Sequence, residues 1–256
     1  VTFIELIGIE LQKIKRSKIL LILILPAIIL WIPAIANAGL NFHYQKEGIS
    51  PENSFLIQTL LGFAWFMYPA GMVINTVLLT QTERGSRGIV KMLSLPINRR
   101  QLCLAKFILL LILAAAQISI ATLLYFPSAL LASHIQDYNF LLSPLLVWKE
   151  AGLLFIASLP MAAVFWLFAV CIRTPVFAIG TGLASIVPSI ILINSKVWFI
   201  YPMCYPFYVI TTEYGKLASN FDTFSLTLFP WIPVAIALLV ISTGISCLLF
   251  GRRENQ

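Results

Sequence analysis

Side chains that can do chemistry are scarce in this chain, and many of them crowd into one stretch. "TERGSRGIVKMLSLPINRR", residues 82–100, holds one acid, Glu83, and five bases, Arg84, Arg87, Lys91, Arg99 and Arg100. Elsewhere the catalytic alphabet is thin. The two histidines, His43 and His134, stand far apart, and no HExxH pair or GxxxxGK[ST] phosphate loop occurs. No carboxylate lies inside an uncharged run, so no carboxylate pair or proton relay is on offer there. The expectation is no catalytic residue, no metal ligand and no cofactor bound by this chain. What remains for a dense basic stretch is to grip phosphates or to press on a partner.

The elements that must position it are apolar. Of the 256 residues, 60% are hydrophobic and 11% charged, with a mean hydropathy of +0.94. A soluble chain carries about a quarter charged residues. Six uncharged runs, Ile19–Phe42, Phe55–Gln81, Phe107–Ala132, Ala151–Ile172, Pro175–Ile193 and Leu226–Phe250, reach the length of about 20 residues that a bilayer-crossing helix needs. The predicted fold is an all-α membrane protein with six transmembrane helices in a single domain, 1–256. The longest loops, roughly 25–30 residues, are too short to fold alone. A seventh run, Val197–Thr212, carries Pro202, Pro206 and six aromatics in 16 residues. Its prolines break backbone bonding, and Trp and Tyr favour the water–lipid interface. Residues 195–222 are therefore expected to form an outer, re-entrant segment before the last span.

Basic residues orient the bundle. Thirteen, among them Lys13, Lys15, Arg16, Lys18, the five of the 82–100 stretch, Lys106, Arg173, Arg252 and Arg253, fall on one side. Four, Lys46, Lys149, Lys196 and Lys216, fall on the other. Both termini are expected in the cytoplasm, and the net charge of +7 is an orientation signal that requires no nucleic-acid partner. The first residues mix acids with bases, so no cleavable signal is expected. Cys103, Cys171, Cys204 and Cys247 are spaced for no disulfide.

Residues 2–17 have the period of an amphipathic helix lying on the inner leaflet. Phe3, Ile4, Leu6, Ile7, Leu11 and Ile14 fall on one arc, and Glu5, Gln12, Lys13, Lys15 and Arg16 on the other. Glu10 intrudes on the apolar arc without a local reason. A charged flank that only orients the first span reads the same way by period. Within the spans, Asn37, Gln58, Asn75, Thr76, Gln117, Ser119, Thr122 and Ser185 suit interhelical hydrogen bonds. With no ionisable group inside a span, movement of any cargo would draw its energy from a partner.

In the basic stretch, Ile89, Met92 and Leu93 recur at helical spacing among Arg84, Arg87 and Lys91, and Pro96 stops the turn. Asn98 suits the N-cap of a helix running through Lys106 into the third span. "TERGSRGIVKMLSLPINRRQLCLAKF" resembles the first cytoplasmic loop of the permeases of type-two ATP-binding-cassette exporters. There an acid follows the second span and a short coupling helix leads into Leu-x-x-Pro-x-x-Arg. A lysine then opens the third span. Glu83, Leu93, Pro96, Arg99 and Lys106 take those places here. The six spans, amphipathic first helix and aromatic segment before the last span match the same plan.

"IELQKIKRSKILLILILP", residues 9–26, and "NSKVWFIYPMCYPF", residues 194–207, are similar to the small permeases that protect bacteria against lantibiotics, although Cys204 stands where that pattern has a small polar residue. The resemblance implies a bacterial cell-membrane exporter subunit. ATP and magnesium would sit in separate nucleotide-binding ATPase subunits, which would dock at Glu83, Arg84, Arg87, Lys91, Leu93 and Pro96. A second permease chain, identical or homologous, would complete the membrane part.

The expected outer face carries six acids against four lysines, with Trp198, Tyr201, Tyr205, Tyr208 and Glu213 as the candidate surface for a cationic, amphiphilic peptide. A positive-inside bias alone also leaves outer loops poor in bases. Export of another drug, peptide or lipid-linked glycan uses the same machinery, and a basic loop that only grips lipid phosphates fits its charge. A membrane enzyme or a sensor is the reading from another class.

Overall fold

A backbone in hydrocarbon satisfies its N–H and C=O groups only by bonding to itself, so the uncharged runs become helices. The structure, a computed structural model, describes residues 3–15, 19–84, 98–172, 174–217 and 228–250. Among these there is no strand. Helix α1 is Phe3–Lys15, and α2 is Ile19–Ala36, followed by a 3-10 stretch over Ala38–Glu47. Next come α3, Pro51–Gly62, a π-helical turn over Phe63–Met67, and α4, Tyr68–Arg84. The long α5 is Arg99–Gln136, α6 is Pro144–Cys171, α7 is Pro175–Ile186 and α8 is Ser189–Leu192. Two 3-10 turns, Trp198–Ile200 and Pro202–Cys204, lead into α9, Tyr205–Leu217, and α10 is Trp231–Leu249.

Five of these stretches, Pro51–Thr80, Arg99–Gln136, Pro144–Cys171, Pro175–Leu192 and Trp231–Leu249, are long and apolar enough to cross a bilayer. A sixth is bent: Leu21–Ala36 meets Ala38–Gln45 at 63°. The chain is an all-α, multi-pass membrane protein. The bend of the first span has a local cause. There the bonding tightens: the Pro33 carbonyl accepts from both the backbone N–H and Nδ2 of Asn37, each at 3.0 Å, and the Leu40 N–H then bonds the Asn37 carbonyl only three residues back.

The seventh run is not a span. Its helix α9 has 13 residues, about 20 Å at 1.5 Å per residue, and packs on α6 and α3.

Aromatic residues with polar tips hold the bundle together. Trp31 on α2 donates Nε1 to the Ala121 carbonyl on α5 at 2.9 Å and packs against Phe55 and Tyr125. The Tyr68 and Ser158 hydroxyls share a bond of 2.9 Å between α4 and α6. Tyr125 donates to the Phe140 carbonyl at 2.8 Å, closing the turn between α5 and α6. The polar residues expected to act as glue mostly bond their own helix: Thr76 to Val73, Thr122 to Ile118 and Ser185 to Gly182. Gln117 does cross, donating Nε2 to the Met67 carbonyl at 3.4 Å. A hydroxyl finds its own backbone within one turn, whereas an indole or phenol reaches the neighbouring helix.

Candidate functional site

Two regions at opposite ends of the bundle gather ionisable side chains. At the α1 end, Glu10 is buried at 2% exposure and Lys106 at 1%. Lys106 Nζ lies 2.7 Å from Glu10 Oε2, and Lys13 Nζ lies 2.6 Å from Oε1. This accounts for the acid on the apolar arc: Leu6, Glu10 and Ile14 form the buried stripe with which α1 packs on α5. Ile4, on the same apolar arc, is 81% exposed and faces away from the bundle. Burial alone raises the Glu10 pKa, but the charges and hydrogen bonds of Lys106 and Lys13 outweigh it and hold the carboxyl below its usual value of 4.5.

The start of α5 is fixed close by. Asn98 caps it as its sequence position suggested, accepting from the Arg100 backbone N–H at 3.0 Å. Trp166 on α6 donates Nε1 to Cys103 Sγ at 3.4 Å and stacks on Phe250. Glu83 and Arg84 lie in the last turn of α4. Arg87, Lys91, Leu93 and Pro96 lie outside the described residues.

At the opposite end, α6 and α9 form a seam closed by two carboxylates. Glu150 is 4% exposed and Glu213 is 7% exposed. Lys149 Nζ lies 3.4 Å from Glu150 Oε1 and 3.9 Å from Glu213 Oε2, and Lys216 bonds Glu213 Oε1. Glu150 Oε2 is buried with no hydrogen-bond partner among the described residues. One helical turn deeper, Leu153 on α6 and Val209 on α9 open a groove of about 510 Å³, completed by Ala157, Tyr205 and, from α10, Trp231 and Ile236. That volume lies within the ~300–1,000 Å³ of small-molecule sites. The Trp231 Nε1 donor is buried and likewise lacks a partner.

An aromatic cluster meets this groove through Tyr205 and Trp231. Trp198 stacks on Tyr208 with centroids 3.9 Å apart, and Trp231 lies 5.7 Å from Tyr205 and 5.6 Å from Tyr208. Tyr205 is fully buried, while Trp198, Tyr201 and Tyr208 are half-buried. Tyr201 donates instead to the Ser185 carbonyl on α7. The groove is an apolar slot, and Glu150 lies one helical turn from Leu153 in its lining.

Residues 6–189 match the family model described as "ABC-2 family transporter protein", which spans well over half of the chain. The chain belongs to that family. No curated protein matches it. As an ABC-2 permease it is the membrane subunit of an ABC exporter, without an ATP site of its own, and it works with an ATPase partner.

Of the outer residues picked from the permease's sequence, the fold brings Trp198, Tyr205 and Tyr208 into one cluster and sets Glu213 two turns along α9 from Tyr205. Two members escaped that reading. Glu150 was one of the six acids expected on the outer face but not one of the candidate surface residues, and Trp231 was only a residue of the last uncharged run. A Trp near the start of the last uncharged run and an acid immediately before the fourth were the available signals.

Proposed function

We propose that this permease removes cationic, amphiphilic antimicrobial peptides of the lantibiotic type from a bacterial cell membrane, with ATP and magnesium bound by separate ATPase subunits. Both termini lie in the cytoplasm, so the α1 end faces the ATPase and the α6–α9 seam faces out. Two permease chains, identical or homologous, form the membrane part. Closure of the ATPase pair on ATP moves the 82–100 segment and rocks the helices.

One observation carries the substrate reading: a buried carboxylate oxygen without a partner, Glu150 Oε2, heads a seam that opens into an apolar groove. An ammonium group satisfies the carboxylate and an apolar side chain fills the groove. A neutral drug or a lipid-linked glycan offers the groove its body but brings no cation to Glu150 Oε2, and a buried polar atom without a hydrogen bond is costly.

The test is ATP hydrolysis by the purified permease–ATPase complex in lipid nanodiscs, titrated with a lantibiotic, a neutral lipophilic drug and a lipid-linked glycan. Stimulation is expected from the lantibiotic alone, with the half-maximal concentration raised about tenfold in Glu150→Gln, the scale of one charge-assisted hydrogen bond. Stimulation by the glycan or the drug, with none by the peptide, overturns the reading.

A further inference from the structure

Helix α1 is held to the bundle by a buried charge as well as by apolar packing. Glu10 and Lys106 are 96 residues apart in sequence, almost wholly buried, and 2.7 Å apart in space. Apolar side chains of the same volume would hold the two helices about as firmly, because desolvating both charges offsets most of their attraction. What the ion pair adds is register: it holds α1 at one height on α5 and loses its geometry when either helix slides.

A second fixed point lies further along α5. Trp31 of α2 bonds the Ala121 carbonyl at 2.9 Å, 15 residues beyond Lys106, which is about 22 Å along the helix. Helices α1 and α2 are consecutive, so α5 is pinned to this pair at two distant levels. The near end of α5 is the Asn98 cap, where the chain returns from the basic segment.

We propose that the Glu10–Lys106 pair is a joint that makes α1 and α2 follow α5 when the basic segment is displaced. Glu10 and Lys106 are then positioning residues of the transport cycle, and α1 is a moving part, not a passive float on the membrane. Lys13, at 2.6 Å from the other carboxylate oxygen, pairs Glu10 within α1 and leaves Oε2 to Lys106. This inference rests on the coupling role given above to the 82–100 segment.

The experiment uses the permease–ATPase complex with one spin-labelled permease chain, its native cysteines replaced. One label pair joins α1 to α7, Gln12→Cys with Val176→Cys, and the other joins α5 to α7, Leu104→Cys with Val176→Cys; all three positions are exposed. Distances are measured without nucleotide and with ATP plus vanadate. In the otherwise native chain both distances should change together. The variant that decides is the apolar double, Glu10→Leu with Lys106→Met, which removes both charges and leaves neither buried alone. It should match the wild type in membrane abundance and thermal stability, as a purely structural pair would allow. It should keep the α5 displacement and lose that of α1. If α1 still follows α5 in the double variant, the joint is refuted while coupling stands. If neither distance responds in the native chain, the coupling reading falls and the joint with it.

Discussion

Glu10 shows how much a single residue can conceal. Its place on the apolar arc was visible in the sequence, but its partner lies in another helix, and no local pattern connects them. The Asn98 cap was legible because a cap signal is complete within three residues. The Glu10 contact also predicts a pH response. Its carboxyl is held below 4.5, so the stabilisation is fully present above that value and is lost as pH falls through the lower, folded value. A fluorophore at Gln12 should therefore report α1 docked at pH 5 and above, with release beginning only below about pH 4.5. In Lys106→Met only Lys13 opposes the burial that raises the Glu10 pKa, and protonation no longer strands a buried lysine, so acid-induced release should weaken. An unchanged response would show that Lys106 contributes nothing to the docking of α1.

At the scale of elements, uncharged runs located the spans but not their ends. Helix α5 extends from Arg99 to Gln136, well past the run Phe107–Ala132, because a helix continues into the charged interface until a cap or a turn residue stops it. The stop is Asp137, in the left-handed region at φ 50°, and a single acid in a loop announces no such conformation. The π turn at Phe63–Met67 was equally hidden, since it adds no residue type that α-helix lacks. The contact of α7 with α4 was hidden too, and it makes a prediction. A Cβ built on Gly182 would lie 2.6 Å from Val73 Cγ1, whereas one on Gly180, two residues earlier, meets nothing within 4 Å. Gly182→Ala should destabilise the purified permease by about 1–3 kcal/mol, the usual cost of overpacking. Gly180→Ala should be neutral, or stabilising by up to about 1 kcal/mol through helix propensity. Thermal unfolding of the two variants side by side checks it, and equal melting temperatures would mean that α7 and α4 do not meet at Gly182.

Across the whole molecule, the two ends differ in kind. At the α1 end, buried charges join helices, as Glu10 and Lys106 join α1 to α5. At the opposite end, Glu150 Oε2 and the Trp231 indole N–H have no hydrogen-bond partner among the described residues, beside an apolar groove. On the proposed function, one end receives force and the other an amphiphile. The amino-acid order revealed that division through its charge asymmetry, but not the groove, which needs α6, α9 and α10 brought together from three distant stretches. The remaining question is whether the 82–100 segment couples or merely anchors. If its apolar face docks on the ATPase, Leu93→Asp puts a charge where an apolar groove must receive it, and a loss of a few kcal/mol of docking energy follows. Substrate-stimulated ATP hydrolysis should then vanish in Leu93→Asp and in Glu83→Ala, with membrane abundance near normal. Arg99→Gln with Arg100→Gln should act mainly on lipid contact, at about 1 kcal/mol per charge near an anionic surface. An anchoring segment reverses that ranking, because only its bases would then matter. Hydrolysis and abundance measured on both sets decide between the two, and wild-type stimulation in Leu93→Asp would end the coupling proposal.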